Sequence, residues 1–252
     1  MKCIDVHCYF GKFGFPILDM SMQDILDQAE QAEVEKTIVM SAQSIQYDFV
    51  AGNAEVAEAI APHPQLYGYV YINMHYPERS MREMEKYLHS DKFVAVKYNG
   101  EYSRAAASAP ENNEVFDLLE NTYRKPLLLH TWGLPEHGNV VAYSLPAQAL
   151  ELALAHPSLP IVMGHMGGTE WMSGIRAAQG APNLFLDTCA SYADQDKVGV
   201  AVSTLGADRV LFGSGATEGS LHMQKGAILD ADLTDDERFS VFYDNARRVY
   251  GI

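Results

Sequence analysis

The sequence is short of cysteine, of positive charge and of long apolar runs, and each shortage excludes a class of protein. Its three cysteines, Cys3, Cys8 and Cys189, show no CxxC spacing. So odd and sparse a set makes neither a disulphide framework nor a zinc knuckle, and it reads as a reducing, cytoplasmic compartment. Lysine and arginine number 18 against 33 acidic residues, a formal net charge of -15. Such a surface repels nucleic acid and anionic lipid, whose binding relies on basic side chains. No nucleic-acid partner is expected, and an anionic substrate would need local basic groups to overcome the overall field. No apolar run approaches the ~18 residues of a membrane span. The opening MKCIDVHCYF also lacks the apolar stretch of a signal peptide. A membrane partner is not expected either.

What is present is a repeating pattern. Short, near-continuous apolar runs occur at Cys3–Val6, Thr37–Met40, Leu66–Ile72, Phe93–Tyr98, Pro126–Leu129, Ile161–Gly164, Leu184–Asp187 and Val210–Phe212. They are rich in Val, Ile, Leu, Phe and Tyr, as parallel strands buried on both faces should be. Between them lie segments with helical spacing: Ile25, Leu26, Ala29 and Ala32, then Ala54, Ala57, Ile60 and Ala61. Further helices are expected at Pro77–His89, Glu111–Tyr123, Leu145–His156, Thr169–Ala178 and Asp194–Leu205. Ser21 and Asp24 form a start signal, while Ala61-Pro62, Lys125-Pro126 and His156-Pro157 mark places where a helix has ended. Eight strand–helix units of even size predict an α/β protein, a closed (β/α)8 or TIM barrel spanning residues 1–252 as one domain. The alternative is an open, doubly wound sheet. A last helix, about Asp235–Tyr250, is expected to pack against the outside.

In such barrels the C-terminal strand ends face the working pocket, so the polar residues there form the candidate site. His7, Cys8 and Tyr9 follow the first run, Lys97 ends the fourth, His130 the fifth, His165 the sixth and Asp187 the seventh; Ser214 and Gly215 follow the eighth. Imidazoles from three strands, meeting at one mouth, can hold a metal or move a proton near neutrality. Lys97 either carries a substrate carboxylate or neutralises Asp5 or Asp187. Asp187 itself reads as structural, bonded to amides of its loop. The remaining histidines, His156 among them, read as surface residues, with His75 and His137 on the pocket side. Gly167-Gly168 is expected to open the next helix, where amides could hold an anion. Phe13, Phe15, Tyr47, Tyr102, Trp132 and Trp171 point to an aromatic-lined pocket, with Trp132 and Tyr9 as substrate contacts.

The segments IDVHCYF, VAVKY, LLLHTW, VMGHMGG, RVLFGSGA and NARRVYGI, in this order and spacing, resemble the amidohydrolase superfamily in its amidohydrolase-related branch. That branch of mononuclear zinc barrels includes decarboxylases similar to aminocarboxymuconate semialdehyde decarboxylase. The resemblance implies that His7 and His130 are metal ligands and that His165 polarises substrate or shuttles a proton. It also exposes two departures. Tyr9 stands where a second histidine ligand belongs, and Gly215 where a metal-binding aspartate belongs. A catalytic zinc takes three protein ligands and one open position. One divalent metal, zinc, is therefore expected to be weakly held or absent. Tyr9 would have to ligate as a phenolate, against an ordinary tyrosine pKa of ~10, and Glu218 is the nearest replacement carboxylate. Three readings follow: hydrolysis or decarboxylation of a small carboxylated or cyclic compound; a metal-free hydrolase or lyase using His165 and Lys97; or a non-catalytic, small-molecule-binding barrel. The expected partners are a small-molecule substrate and, since the family often forms dimers, a second copy of the chain.

Overall fold

The computed structural model describes residues 1–14, 16–17, 19–190, 194, 196–216 and 219–252. Eight parallel strands lie side by side in chain order. They are β1 (Cys3–Phe10), β2 (Val34–Ser41), β3 (Leu66–Ile72), β4 (Phe93–Tyr98), β5 (Leu127–His130), β6 (Ile161–Gly164), β7 (Leu184–Asp187) and β8 (Val210–Leu211). A doubly wound sheet would reverse its strand order part-way, so that alternative is excluded. The seam between the last strand and the first is drawn together by backbone bonds. Val6 N–H donates to the Phe212 carbonyl (3.0 Å), Gly215 N–H to that of His7 (2.8 Å), and Tyr9 N–H to that of Ala216 (2.8 Å). The TIM-barrel expectation holds.

Strand side chains alternate between two apolar layers. Leu127, Leu129, Ile161, Met163, Leu184 and Leu186 belong to the layer under the helices. Leu128, Val162, Phe185, Leu211 and Ala95 fill the barrel interior. With a side-chain period of two, the next inward positions after Ala95, Leu128 and Phe185 are Lys97, His130 and Asp187. Three polar groups thus arrive at the mouth by alternation alone. β1 reaches it differently. Asp5 pairs with Thr37 and Cys8 with Val39, three steps against two. The bulge re-aims the chain at His7, a recurrent device beside active sites.

The first helix, Met22–Gln31, begins as the sequence indicated: Ser21 and Asp24 form a reciprocal capping box, and Ile25 and Ala29 are buried. Two expectations need correction. Residues His165–Glu170 form a tight turn with Met166, Gly167 and Gly168 at positive φ, and the helix starts only at Trp171. The glycine pair therefore presents no helix N-terminus to an anion. The final segment is two helices, Asp235–Phe239 and Asn245–Tyr250, joined by wider turns. It does not lie wholly outside, because Ala246 and Tyr250 join the interior cluster. The Tyr69 hydroxyl ties it there, donating to the Val6 carbonyl at 2.5 Å and meeting the Tyr250 hydroxyl at 2.9 Å. Helix Leu221–Asp230 has no one-sided apolar stripe and left no periodic signal in the sequence.

Leu128 is fully buried directly beneath His130. Leu128→Ala should lower unfolding free energy by about 2–5 kcal/mol, measured by urea denaturation.

Candidate active site

His7 is the centre of the mouth. Its ring is fully buried, and Nδ1 lies 2.6 Å from Asp187 Oδ2. The Tyr9 hydroxyl lies 2.5 Å from Nε2, and Lys97 Nζ is 3.3 Å from the same nitrogen. Neighbouring strands leave space for the ring by omitting side chains. A Cβ on Gly164 would come within 3.2 Å of His7 Cε1, and one on Gly213 within 2.8 Å of His7 Cβ. Burial, with the Lys97 charge behind it, lowers the His7 pKa to about 4 against the pull of Asp187. The ring is thus neutral at pH 7, giving its Nδ1–H to the Asp187 carboxylate and accepting at Nε2. Burial alone would raise Asp187, but its bonds to His7 and to the His165 amide hold it below the usual carboxylate range. Its other oxygen accepts the amides of His165 (2.9 Å) and Cys189 (3.0 Å). Asp187 therefore bonds loop amides, as its sequence context indicated, and also orients His7. Asp5 anchors the seam in a similar way, accepting from the His7 and Ser214 amides and the Ser214 hydroxyl.

A second chain of groups runs from His165 towards solvent. His165 Nε2 is 3.2 Å from His130 Nδ1, and His130 Nε2 is 2.7 Å from Glu136 Oε2. Glu136 is partly exposed, whereas His165 is buried at φ +63 with no hydrogen-bond partner for Nδ1 among the described residues. Burial and its cationic neighbours keep His165 well below the imidazole range. The loop carrying Glu136 is held by the buried carboxylate of Glu101. That carboxylate accepts the amides of Tyr143 (2.5 Å) and Glu136 (3.3 Å) and the Asn139 side chain (2.8 Å). Sequence reasoning missed Glu136 and Glu101. The only trace of Glu136 was a carboxylate in a loop after a strand end.

The structure brings Tyr9, Lys97, His130, Trp132 and His165 to one cavity of about 130 Å3, with Phe13, Tyr102 and Glu136 also in its wall. Trp132 lies parallel to His130 and edge-on to His165. Of the other aromatics, Trp171 packs against the helix-side core and Tyr47 lines a separate outer hollow; Phe15 lies outside the described residues, as does Glu218. His137 lines the cavity and His75 the outer hollow. His156 is not a surface residue: it is buried, with Nδ1 3.2 Å from Glu120 and 3.4 Å from Asp117. Among the described residues, no helix is long and apolar enough to cross a membrane.

Residues 4–252 match the family model described as Amidohydrolase. The chain belongs to the amidohydrolase family. No curated protein matches it. Several solved structures share its fold at low identity. A 2,6-dihydroxybenzoate decarboxylase from Rhizobium has 16% identity over 100% of this chain and 99% of its own, with a TM-score of 0.79. A 5-carboxyvanillate decarboxylase from Sphingomonas paucimobilis has 15% identity over 100% and 99%, with a TM-score of 0.79. A dihydroxybenzoic acid decarboxylase from Polaromonas sp. JS666, with bound manganese and the inhibitor 2-nitroresorcinol, has 17% identity over 99% and 97%, with a TM-score of 0.79.

A divalent metal of the kind held by that last neighbour finds an incomplete ligand set here. Gly215 supplies no donor, and a Cβ at that position would fall 2.5 Å from Cys189 Sγ. The sulphur therefore fills the space an aspartate would enter, and restoring one would require moving Cys189 as well. His130 Nε2 is engaged by Glu136. Among the described residues, His7, His165 and Cys189 do have ligand atoms within 4.8 Å of one another. Yet the Lys97 ammonium, 3.3 Å from His7 Nε2, opposes a second cation at that nitrogen. Lys97 and Glu136 thus stand at two of the nitrogens, His7 Nε2 and His130 Nε2, that a metal would use. Elemental analysis of the purified protein should find well below one zinc or manganese per chain; near-stoichiometric metal would show that Tyr9 or Cys189 had become a ligand.

The buried imidazoles also set a pH limit on stability. His7 is lowered to about 4 from an ordinary 6.5, so the unfolded chain takes up a proton that the folded site refuses. Its contribution is complete above pH 6.5 and is lost as pH falls towards 4. Asp5, raised to about 6 by burial against its hydrogen bonds, acts oppositely: its contribution is complete below its ordinary 3.8 and lost as pH rises through 6. Because His165 adds to the His7 effect, urea midpoints should fall between pH 6.5 and 4, and less steeply in His7→Gln.

Proposed function

We propose that this chain is an enzyme that decarboxylates a single-ring carboxylated aromatic compound without the family's metal, with His165 and Lys97 as the catalytic groups and Tyr9 and Trp132 as substrate contacts. One observation carries the reading: the Glu136–His130–His165 chain, which links solvent to a small aromatic-walled cavity holding a buried ammonium. The cavity, about 130 Å3, is close to the ~150 Å3 void that accommodates benzene in a protein core. Trp132 and Phe13 offer faces and edges to a ring. Lys97 brings a positive charge that binds a carboxylate or ring oxygen where little water screens it.

Decarboxylation of an electron-rich ring needs a proton delivered to the carbon that bears the carboxylate, after which carbon dioxide leaves. Glu136, partly exposed, takes the proton from solvent and passes it through His130 to His165. The same burial that keeps His165 neutral at rest makes its protonated form a ready donor. Asp187 and His7 fix the Tyr9 hydroxyl, its proton directed at His7 Nε2, beside the ammonium, and the ammonium can hold the departing carboxylate. The aromatic acid in one neighbour's description, 2,6-dihydroxybenzoate, supports the substrate class.

The reading is tested by carbon dioxide release from hydroxybenzoates, beside ester and lactone hydrolysis. His165→Asn should lower kcat by about 10²-fold or more, while Lys97→Met should act mainly on KM. Glu136→Gln should lower kcat less, because water can replace it as the entry point. Hydrolysis without carbon dioxide release would move the reaction class, and tight binding without turnover would make the chain a binding barrel.

A further inference from the structure

Beside the cavity lies a hollow of about 610 Å3, and the two share Ile45 and Tyr102 in their walls. Tyr102 is held firmly in that partition. Gln46 Nε2 donates to its hydroxyl at 2.8 Å, and its ring stacks on His137 with centroids 4.0 Å apart. The charged groups lining the hollow are Asp48, Arg79 and Arg104, with His75 beside them. Asp48 serves its own helix, accepting the amides of Val50 and Ala51. Arg79 lies over the rings of Phe49 and Tyr76, at 5.4 and 5.6 Å from their centroids. Among the described residues, neither arginine is within ion-pair reach of a carboxylate. Arg104 sits at φ +50, closing the turn Gly100–Ser103, where glycine or asparagine would be less strained.

Two guanidinium groups without carboxylate partners on one hollow are out of keeping with a chain of net charge -15. They make the rim of the mouth locally positive, the condition an anionic ligand requires on this surface. We propose that the hollow is an anion-docking subsite, taking the second carboxylate or phosphate of a small dianionic ligand whose ring occupies the cavity. The ring's place rests on the aromatic-acid reading above; the subsite does not. Guanidinium groups suit planar or tetrahedral oxyanions through paired N–H donors. Polyanions such as nucleic acid or an anionic bilayer are repelled by the rest of the surface, so the ligand is a small free molecule.

Titration calorimetry tests this with benzoate and with a benzoate carrying a second carboxylate on a short tether. The diacid should bind about tenfold tighter, one or two charge-assisted contacts' worth, and the gain should shrink at high salt. It should vanish in the double variant Arg79→Gln, Arg104→Gln, with benzoate binding unchanged. Both side chains are exposed, so thermal melting should match the parent. A diacid that binds no tighter, or a gain that survives the double variant, overturns the proposal. If neither aromatic acid binds the parent chain, the ring reading fails and inorganic pyrophosphate decides the subsite alone. Binding abolished by the double variant upholds it, and no binding overturns it.

Discussion

The hydrogen bond between Asp187 and His7 is the constraint on which the rest of the mouth depends. It joins the strand that opens the barrel to the last full-length one before the seam, in a place where neither group touches water. A buried carboxylate without partners is costly, and this one meets that demand four ways, through His7 and the loop amides of His165 and Cys189 together with its neighbours' charge. The same interaction fixes which nitrogen of His7 donates. Tyr9 and Lys97 then meet the other nitrogen, so one bond in the floor orients two groups facing the cavity.

Space is the second determinant. His7 can occupy the axis because β6 and the β8 segment carry glycine where side chains would project inward. The departure at position 215 belongs to the same logic of volume: the missing side chain is matched by the Cys189 sulphur. Glycine at position 215 and the packed Cys189 thiol are thus two sides of one use of space. The floor of the site becomes a set of hydrogen bonds around a neutral imidazole beside an ammonium, an environment hostile to a second cation.

Charge works against the background of the whole surface. The acidic substrate proposed above would require cations on a strongly acidic protein, and cations stand at the mouth at two depths. Lys97 is buried in the cavity wall, where its field is little screened. Arg79 and Arg104 stand at the rim, where water and salt weaken each of them. The partition of Ile45 and Tyr102 separates these two regions.

Much of this was legible in the sequence. The eight buried runs, their order and the polar residue closing each one gave the barrel and brought His7, Lys97, His130 and His165 to one mouth, because strand alternation and burial are local properties of the chain. Tyr9 was placed at the mouth by the same pattern, and Trp132 by its position in the loop after the fifth run. Glu136 and Glu101 were not, since loop carboxylates carry no period and their partners lie far along the chain. Likewise, no pattern in the sequence distinguishes a buried His156 from an exposed one, or reveals that Tyr250 enters the barrel interior. Which nitrogen meets which partner, and whether Gly215 faces a void or a packed sulphur, depends on distances between strands remote in sequence. Only the closed barrel sets those distances.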